Sequence, residues 1–162
     1  MTRVTSEDDG RKVVARNRKA RHEFEILETY EAGIVLKGPE VKSLRDGKVA
    51  FQDAFAHVDN GEVWLRSLHI SPYEEANRYN GDPLRPRKLL LNRSEISKLR
   101  GKVEEKGLTL VPLEIYFRRG NAKVLVALAR GKKLHDKREA LKEKQQNREA
   151  RRAMSAHGKG DQ

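Results

Sequence analysis

The chain has 162 residues, enough for one domain with an appendage. It contains no cysteine, which excludes a disulfide framework and a thiolate metal site, and its longest apolar run, the six residues Val124 to Ala129, falls far short of the roughly 20 that a membrane-spanning helix needs. The 35 Lys and Arg outnumber the 24 Asp and Glu by 11, which favours a polyanionic partner; with no apolar leader core in MTRVTSEDDG, a soluble, cytoplasmic protein is expected.

Residues 1–21 show no apolar alternation and read as a loose arm, flexible over 1–15, with the body of the protein beginning at the basic run from Arg16 to Arg21. From His22 the pattern changes. Phe24, Ile26, Thr29 and Tyr30 suit a strand, Glu31-Ala32-Gly33 a turn, and Ile34-Val35-Leu36 the start of a partner strand. Pro39 fits the first turn of a short helix, Pro39 to Arg45, because its missing N–H is not needed there; Asp46-Gly47 ends it.

Phe51 to Val58 reads as a strand and Asp59-Asn60-Gly61 as a hairpin turn, since Asn-Gly accepts positive φ. Glu62 to Ile70 follows, with Val63, Leu65 and Ser67 on one face and Trp64, Arg66, Leu68 and Ile70 on the other. Residues 71–86, with three prolines and a glycine, read as a long loop. Leu89-Leu90-Leu91 leads into a helix that Asn92 caps, Glu95 supports and Gly107 ends, with Ile96, Leu99 and Val103 on one stripe. Leu108 to Phe117 alternates, Arg118-Arg119-Gly120-Asn121 forms a second hairpin turn, and Ala122 to Ala129 reads as a buried strand. Short strands joined by hairpins, with two short helices, predict a mainly β body, a small closed barrel over residues 16–130 that buries a core of its own.

The tail, residues 131–162, obeys a different pattern. From Arg130 to Gln162, 11 basic and 5 acidic residues give a net +6, more than the +5 of the remaining 129 residues. Seven residues in that stretch are apolar. Helix propensity is high, yet a helix with no face to bury is marginal in water. The tail is expected to be disordered in the free protein and to fold on an anionic target.

No Walker loop, Gly-x-Ser-x-Gly, His-Glu-x-x-His or Cys/His cluster occurs, and the five histidines are scattered. His135-Asp136 is the one base–orienter pair, in a charged segment with nothing to pre-organise it. No enzyme, catalytic residue, cofactor or metal site is expected. Basic residues near aromatic ones fit RNA better: Arg16, Arg18, Lys19, Arg21 and His22 at one end of the first strand, Arg85, Arg87 and Lys88 after the long loop, Arg118, Arg119 and Lys123 at a hairpin tip, with Tyr73, Tyr79 or His22 available to stack on unpaired bases. Taken singly, each is equally a solvated surface group. Glu40 is an acid among these bases; it suits a base edge or ribose hydroxyl, or an ion pair with Lys42 or an arm arginine.

Five stretches in order, NRKARHEF (17–24), YEAGI (30–34), GPEVKSLR (38–45), RKLLLN (87–92) and GKKLHDKR (131–138), resemble the signature blocks of the SmpB family, bacterial proteins that bind tmRNA (SsrA RNA). The resemblance implies an OB-like closed antiparallel β-barrel with short flanking helices and a basic C-terminal tail. It implies a body that grips the tRNA-like domain of tmRNA near its elbow, in place of the anticodon arm that tmRNA lacks. The tail would become helical in the decoding centre and empty mRNA channel of the small subunit of a stalled ribosome, with trans-translation as the outcome and elongation factor Tu met indirectly through tmRNA. Carried over residue by residue, tmRNA contact falls on Arg18, Lys19, Arg21, His22, Glu40, Lys42, Leu91 and Lys123. Ribosome engagement falls on Lys132, Lys133, His135, Asp136, Lys137 and Arg138, with His135 expected to stack on a decoding-centre base. Pro39 and Arg118-Arg119 depart from the family pattern. Three other readings compete: a ribosomal protein, an RNA-processing enzyme, and a general single-strand-binding OB protein.

Overall fold

The computed structural model describes residues 10–74 and 81–132, together with residues 146 and 148. The chain divides into two compact units, Met1–Gly131 and Lys132–Gln162. The described residues of the first form β1 (Arg11–Arg16), α1 (Arg18–Glu23), β2 (Phe24–Ile34), α2 (Gly38–Arg45), β3 (Val49–Ala50), β4 (Phe55–Asp59), β5 (Glu62–Arg66), β6 (His69–Ile70), β7 (Arg87–Leu90), α3 (Arg93–Lys106), β8 (Thr109–Arg118) and β9 (Asn121–Gly131). In the second unit, Gln146 and Arg148 are helical. Among the described residues no helix is long and apolar enough to cross a membrane.

The protein is mainly β, as its sequence predicts. Six strands pair antiparallel in the order β8-β4-β5-β7-β2-β9, and β9 pairs again with β8, so the pairing closes into a ring. Closure matters because it leaves none of the six as a free edge. β1 lies beside the C-terminal half of β8, and β3 with β6 makes a separate two-stranded sheet. The larger apolar cluster includes Ala32, Val63, Leu65, Leu89, Leu110, Ile115, Val124, Val126 and Leu128, with Leu99 of α3 packed among them and Ile96 and Val103 alongside. A smaller cluster, Ala20, Val111, Leu113, Ala127 and Ala129, occupies the other face of β8 and β9 under α1; period-2 alternation gives one pair of strands two apolar faces.

Local signals held where the physics is local. Asn60 and Gly61 take φ of 51° and 75° in the β4–β5 turn, and Arg119 and Gly120 take 51° and 81° in the β8–β9 turn. Glu95 accepts a hydrogen bond from the Asn92 N–H at 3.1 Å at the start of α3, and Gly107 ends it in the left-handed region. Other expectations need correction. Glu31-Ala32-Gly33 is no turn: β2 runs straight through it to Ile34. Pairing begins at Arg11, inside the segment read as a flexible arm, because Val13, Val14 and Ala15 make a strand too short to stand out among charges. Residues 18–23, across the end of the loose arm read over 1–21, form a third helix. Phe51 to Ala54 turns rather than extends, with Gln52 at φ 48°, so β4 starts at Phe55. Ser67, at φ 64°, splits the expected long strand into β5 and β6, which lets Leu68 and Ile70 join Val63 and Leu65 in the core. A bulge between Pro112 and Glu114 reverses the faces of β8, so Leu110, Ile115 and Phe117 share one cluster.

Candidate nucleic-acid interface

α1 is held by one buried amide. The Asn17 N–H donates to the Leu113 carbonyl at 2.7 Å, its Nδ2 to the Pro112 carbonyl at 2.9 Å, and its Oδ1 accepts from the Ala20 N–H at 3.1 Å. The side chain therefore caps the helix and fastens it to the bulged middle of β8. Ala20 is pressed onto the sheet, and Arg18, Lys19, Arg21 and His22 are turned to solvent. Arg18 and His22 have no ion pair or side-chain hydrogen bond with a described residue. Lys19 bonds the exposed Asp53 at 2.9 Å, and that hydrogen bond and charge hold its ammonium above the ordinary lysine pKa. Arg21 reaches Glu114 at 3.3 Å.

Glu40 is already occupied. It accepts from the Lys37 N–H at 2.8 Å, from Arg85 Nε at 3.1 Å and from Arg87 Nε at 2.8 Å. Burial alone would raise its pKa; the hydrogen bonds from Arg85, the Lys37 backbone and Arg87 outweigh it and hold the carboxyl below the usual range. Its partners are neither Lys42 nor an arm arginine. Arg87, expected among the phosphate contacts, is fully buried, donating also to the carbonyls of Leu68 and, at 2.9 Å, Pro83. Lys88 pairs with Glu62 at 3.1 Å. Lys42 is exposed, its Nζ 5.4 Å from the centroid of the Tyr73 ring.

Cross-strand register assembles a third group. Gly33 is paired with Leu90 on one side and Lys123 on the other, and Lys123 with Tyr116. Facing partners share a face, so Leu90, Lys123 and Tyr116 form a row across β7, β2, β9 and β8, with Gly33 as a bare gap in it. Leu90 is 52% exposed, the most exposed large apolar side chain among the described residues, whereas Leu91 packs partly against the core. Lys123 has no ion pair with a described residue. The Tyr116 hydroxyl donates to Glu31, and burial, then that bond and charge, push its phenol pKa up. Arg118 also reaches Glu31, at 2.8 Å, so this hairpin-tip cation is committed within the fold.

The structure thus separates the candidate residues along β8. Arg18, Lys19, Arg21 and His22 sit over its N-terminal half, beside Val111 and Leu113; Lys123 aligns with Tyr116 in its C-terminal half; and Arg45, at the end of α2, stacks on Phe117 near its end. Lys132 is the last residue described continuously; Lys133, His135, Asp136, Lys137, Arg138 and Tyr79 lie outside the described residues. Sequence reasoning missed Asn17 as an anchor and Leu90 as the exposed leucine. A cap residue before a basic run was a usable signal for the first; the second depended on which leucine β7 turns outward.

A family profile described as SmpB protein matches residues 14–156 of the chain. The SsrA-binding protein of Desulforudis audaxviator is 60% identical over 148 residues, covering 91% of this chain and 95% of that protein. That of Thermosynechococcus vestitus is 61% identical over 147 residues, covering 90% and 97%. A solved structure described as "tmRNA-SmpB: a journey to the center of the bacterial ribosome" matches with a TM-score of 0.65 at 60% sequence identity, covering 78% of this chain and 93% of that one.

Proposed function

The chain belongs to the SmpB protein family, and from that premise we propose that it binds the tRNA-like domain of tmRNA and delivers it to stalled ribosomes for trans-translation. The observation that carries this reading is identity of about three residues in five with SsrA-binding proteins across nearly their whole length. The six-strand ring is read as the OB-like barrel of the family, with α1 and α2 as helices on its flanks.

In this reading Arg18, Lys19, Arg21 and His22 meet the RNA from α1, Lys42 from α2, and Lys123 from the outer row of β9. Arg18 and Lys123 carry charges that no described carboxylate neutralises, which suits phosphate contacts. Leu90 offers an apolar surface in the same row as Lys123, and Leu91 supports it from the core side. Glu40 acts by holding Arg85 and the start of α2 in place. Lys132, Lys133, His135, Asp136, Lys137 and Arg138 enter the decoding centre and the empty mRNA channel, where the tail becomes helical and mRNA competes with it. Elongation factor Tu is met through tmRNA.

The test is competition binding at fixed salt between tmRNA and an unrelated RNA of equal length. The account expects a preference of about a thousandfold or more, as specific nucleic-acid complexes have over non-specific ones. Equal affinity for both would make the protein a general RNA binder.

A further inference from the structure

The β1–β8 pair carries a guanidinium stacked on an aromatic ring on each face, and the two differ in charge balance. On one face Arg11 lies 4.0 Å from the Tyr116 centroid and is ion-paired with Glu114. On the other, Arg45 lies 4.7 Å from the Phe117 centroid and has no ion pair with a described residue. Lys12 is the cross-strand partner of Phe117, so it shares that face, and it too is unpaired among the described residues. Lys12, Val14, Arg45, Asp46 and Phe117 line an open groove of about 460 Å³, with Asp46 its one lining carboxylate.

A guanidinium resting on a ring has its plane fixed while its N–H edge stays free for oxygen acceptors. Arg11 spends that edge on a carboxylate of its own chain; Arg45 does not. An anion with several oxygens fits between Arg45 and Lys12, and Val14 with Phe117 supplies an apolar floor that suits a sugar face. Lys42 and Arg45 are three residues apart on α2 and therefore neighbours on one helix face, so the groove continues the surface on which Lys42 is placed against tmRNA. Resting on that reading, we propose that Lys12, Arg45 and Phe117 form a further binding site, a phosphate groove for the backbone of the tRNA-like domain of tmRNA.

The experiment measures the affinity of the full chain for the tRNA-like domain across a salt series, with Arg45→Gln, Lys12→Gln, the double variant and Arg45→Lys. Lys106→Gln, at an exposed lysine at the end of α3 that has no ion pair with a described residue, is the control for loss of a charge elsewhere. Neutralised phosphates set the slope of log K against log salt at about 0.7–0.9 per contact, so the double variant should lower it by about 1–2 and weaken binding about 10- to 100-fold near 100 mM salt. Arg45→Lys should recover most of the slope. A double-variant slope equal to that of Lys106→Gln overturns the site whatever the affinity, because a folding defect lowers the active fraction without changing the number of phosphates neutralised. If the unaltered chain shows no preference for tmRNA over unrelated RNA, the proposed function fails, an outcome distinct from failure of the groove alone.

Discussion

Arg87 and Glu40, 47 residues apart in sequence, form an ion pair in which the guanidinium is fully buried and its Nε donates to the carboxylate at 2.8 Å. The pair joins the first turn of α2 to the start of β7, and Arg87 extends the link to Leu68 and Pro83. Removing one partner of a buried pair leaves the other charge uncompensated, which costs about 3–5 kcal/mol. Glu40→Ala should therefore destabilise the protein strongly, read as a fall in melting temperature, and weaken tmRNA binding in proportion to the folded fraction lost. A fully stable Glu40→Ala protein with lost binding would instead make Glu40 a direct RNA contact.

The same carboxylate gives a pH signature. Its folded pKa lies below the unfolded value of about 4.3. Its contribution is then fully present above that unfolded value and is lost as pH falls through the folded one. The melting-temperature gap between the native protein and Glu40→Gln should be constant from about pH 7 to pH 5 and shrink below about pH 4. A gap that widens in acid would contradict the assignment.

Asn17 and Arg18 are adjacent and should fail in opposite ways. Asn17→Ala loses the Nδ2 bond to Pro112 and the helix cap, which together cost about 1–3 kcal/mol, and it loosens α1 on β8 while leaving the backbone bond to the Leu113 carbonyl. Arg18→Gln removes an exposed charge that no described carboxylate pairs with, and should leave the melting temperature within a degree or two while lowering tmRNA affinity and its salt slope by about one contact. Calorimetry beside filter binding separates the two, and equal melting losses would contradict the distinction.

Gly33 tests the outer row. A Cβ there would stand 3.3 Å from Leu90 Cβ. Rotation of the Leu90 side chain cannot move its Cβ, so β2 and β7 must part slightly and Gly33→Ala should cost about 1–3 kcal/mol in stability. The displaced leucine should also reduce tmRNA affinity severalfold. Unchanged affinity would remove Leu90 and its row from the interface.

Much of this was legible from the chain because it is encoded within a few residues. Asn60-Gly61 announces its turn, and Asn92, Glu95 and Gly107 punctuate α3. The misreadings share one cause, dependence on distant partners. Gly33 signals a turn by composition, yet its use is to admit Leu90 from a strand more than fifty residues later. Arg87 reads as a surface cation until Glu40 and two carbonyls enclose it. Ser67 and the bulge at Pro112 shift which alternate residues face the core, and nothing local fixes those shifts. The basic character of α1 was readable, and Asn17 was readable as a cap, but its bonds to Pro112 and Leu113, which aim the helix, were not.

The central claim is a division of labour between the closed ring and the residues after it. β9 continues to Gly131, which pairs with Phe24, so a truncation that respects the fold ends after Lys132. The decisive measurement is tmRNA affinity and nascent-chain tagging on stalled ribosomes for this truncated protein beside the full chain. The account predicts tmRNA binding within about twofold to threefold and tagging reduced by orders of magnitude, since the phosphate contacts of the body are intact and the channel-entering segment is gone. Tagging at the normal rate, or loss of tmRNA binding with the fold intact, would contradict it.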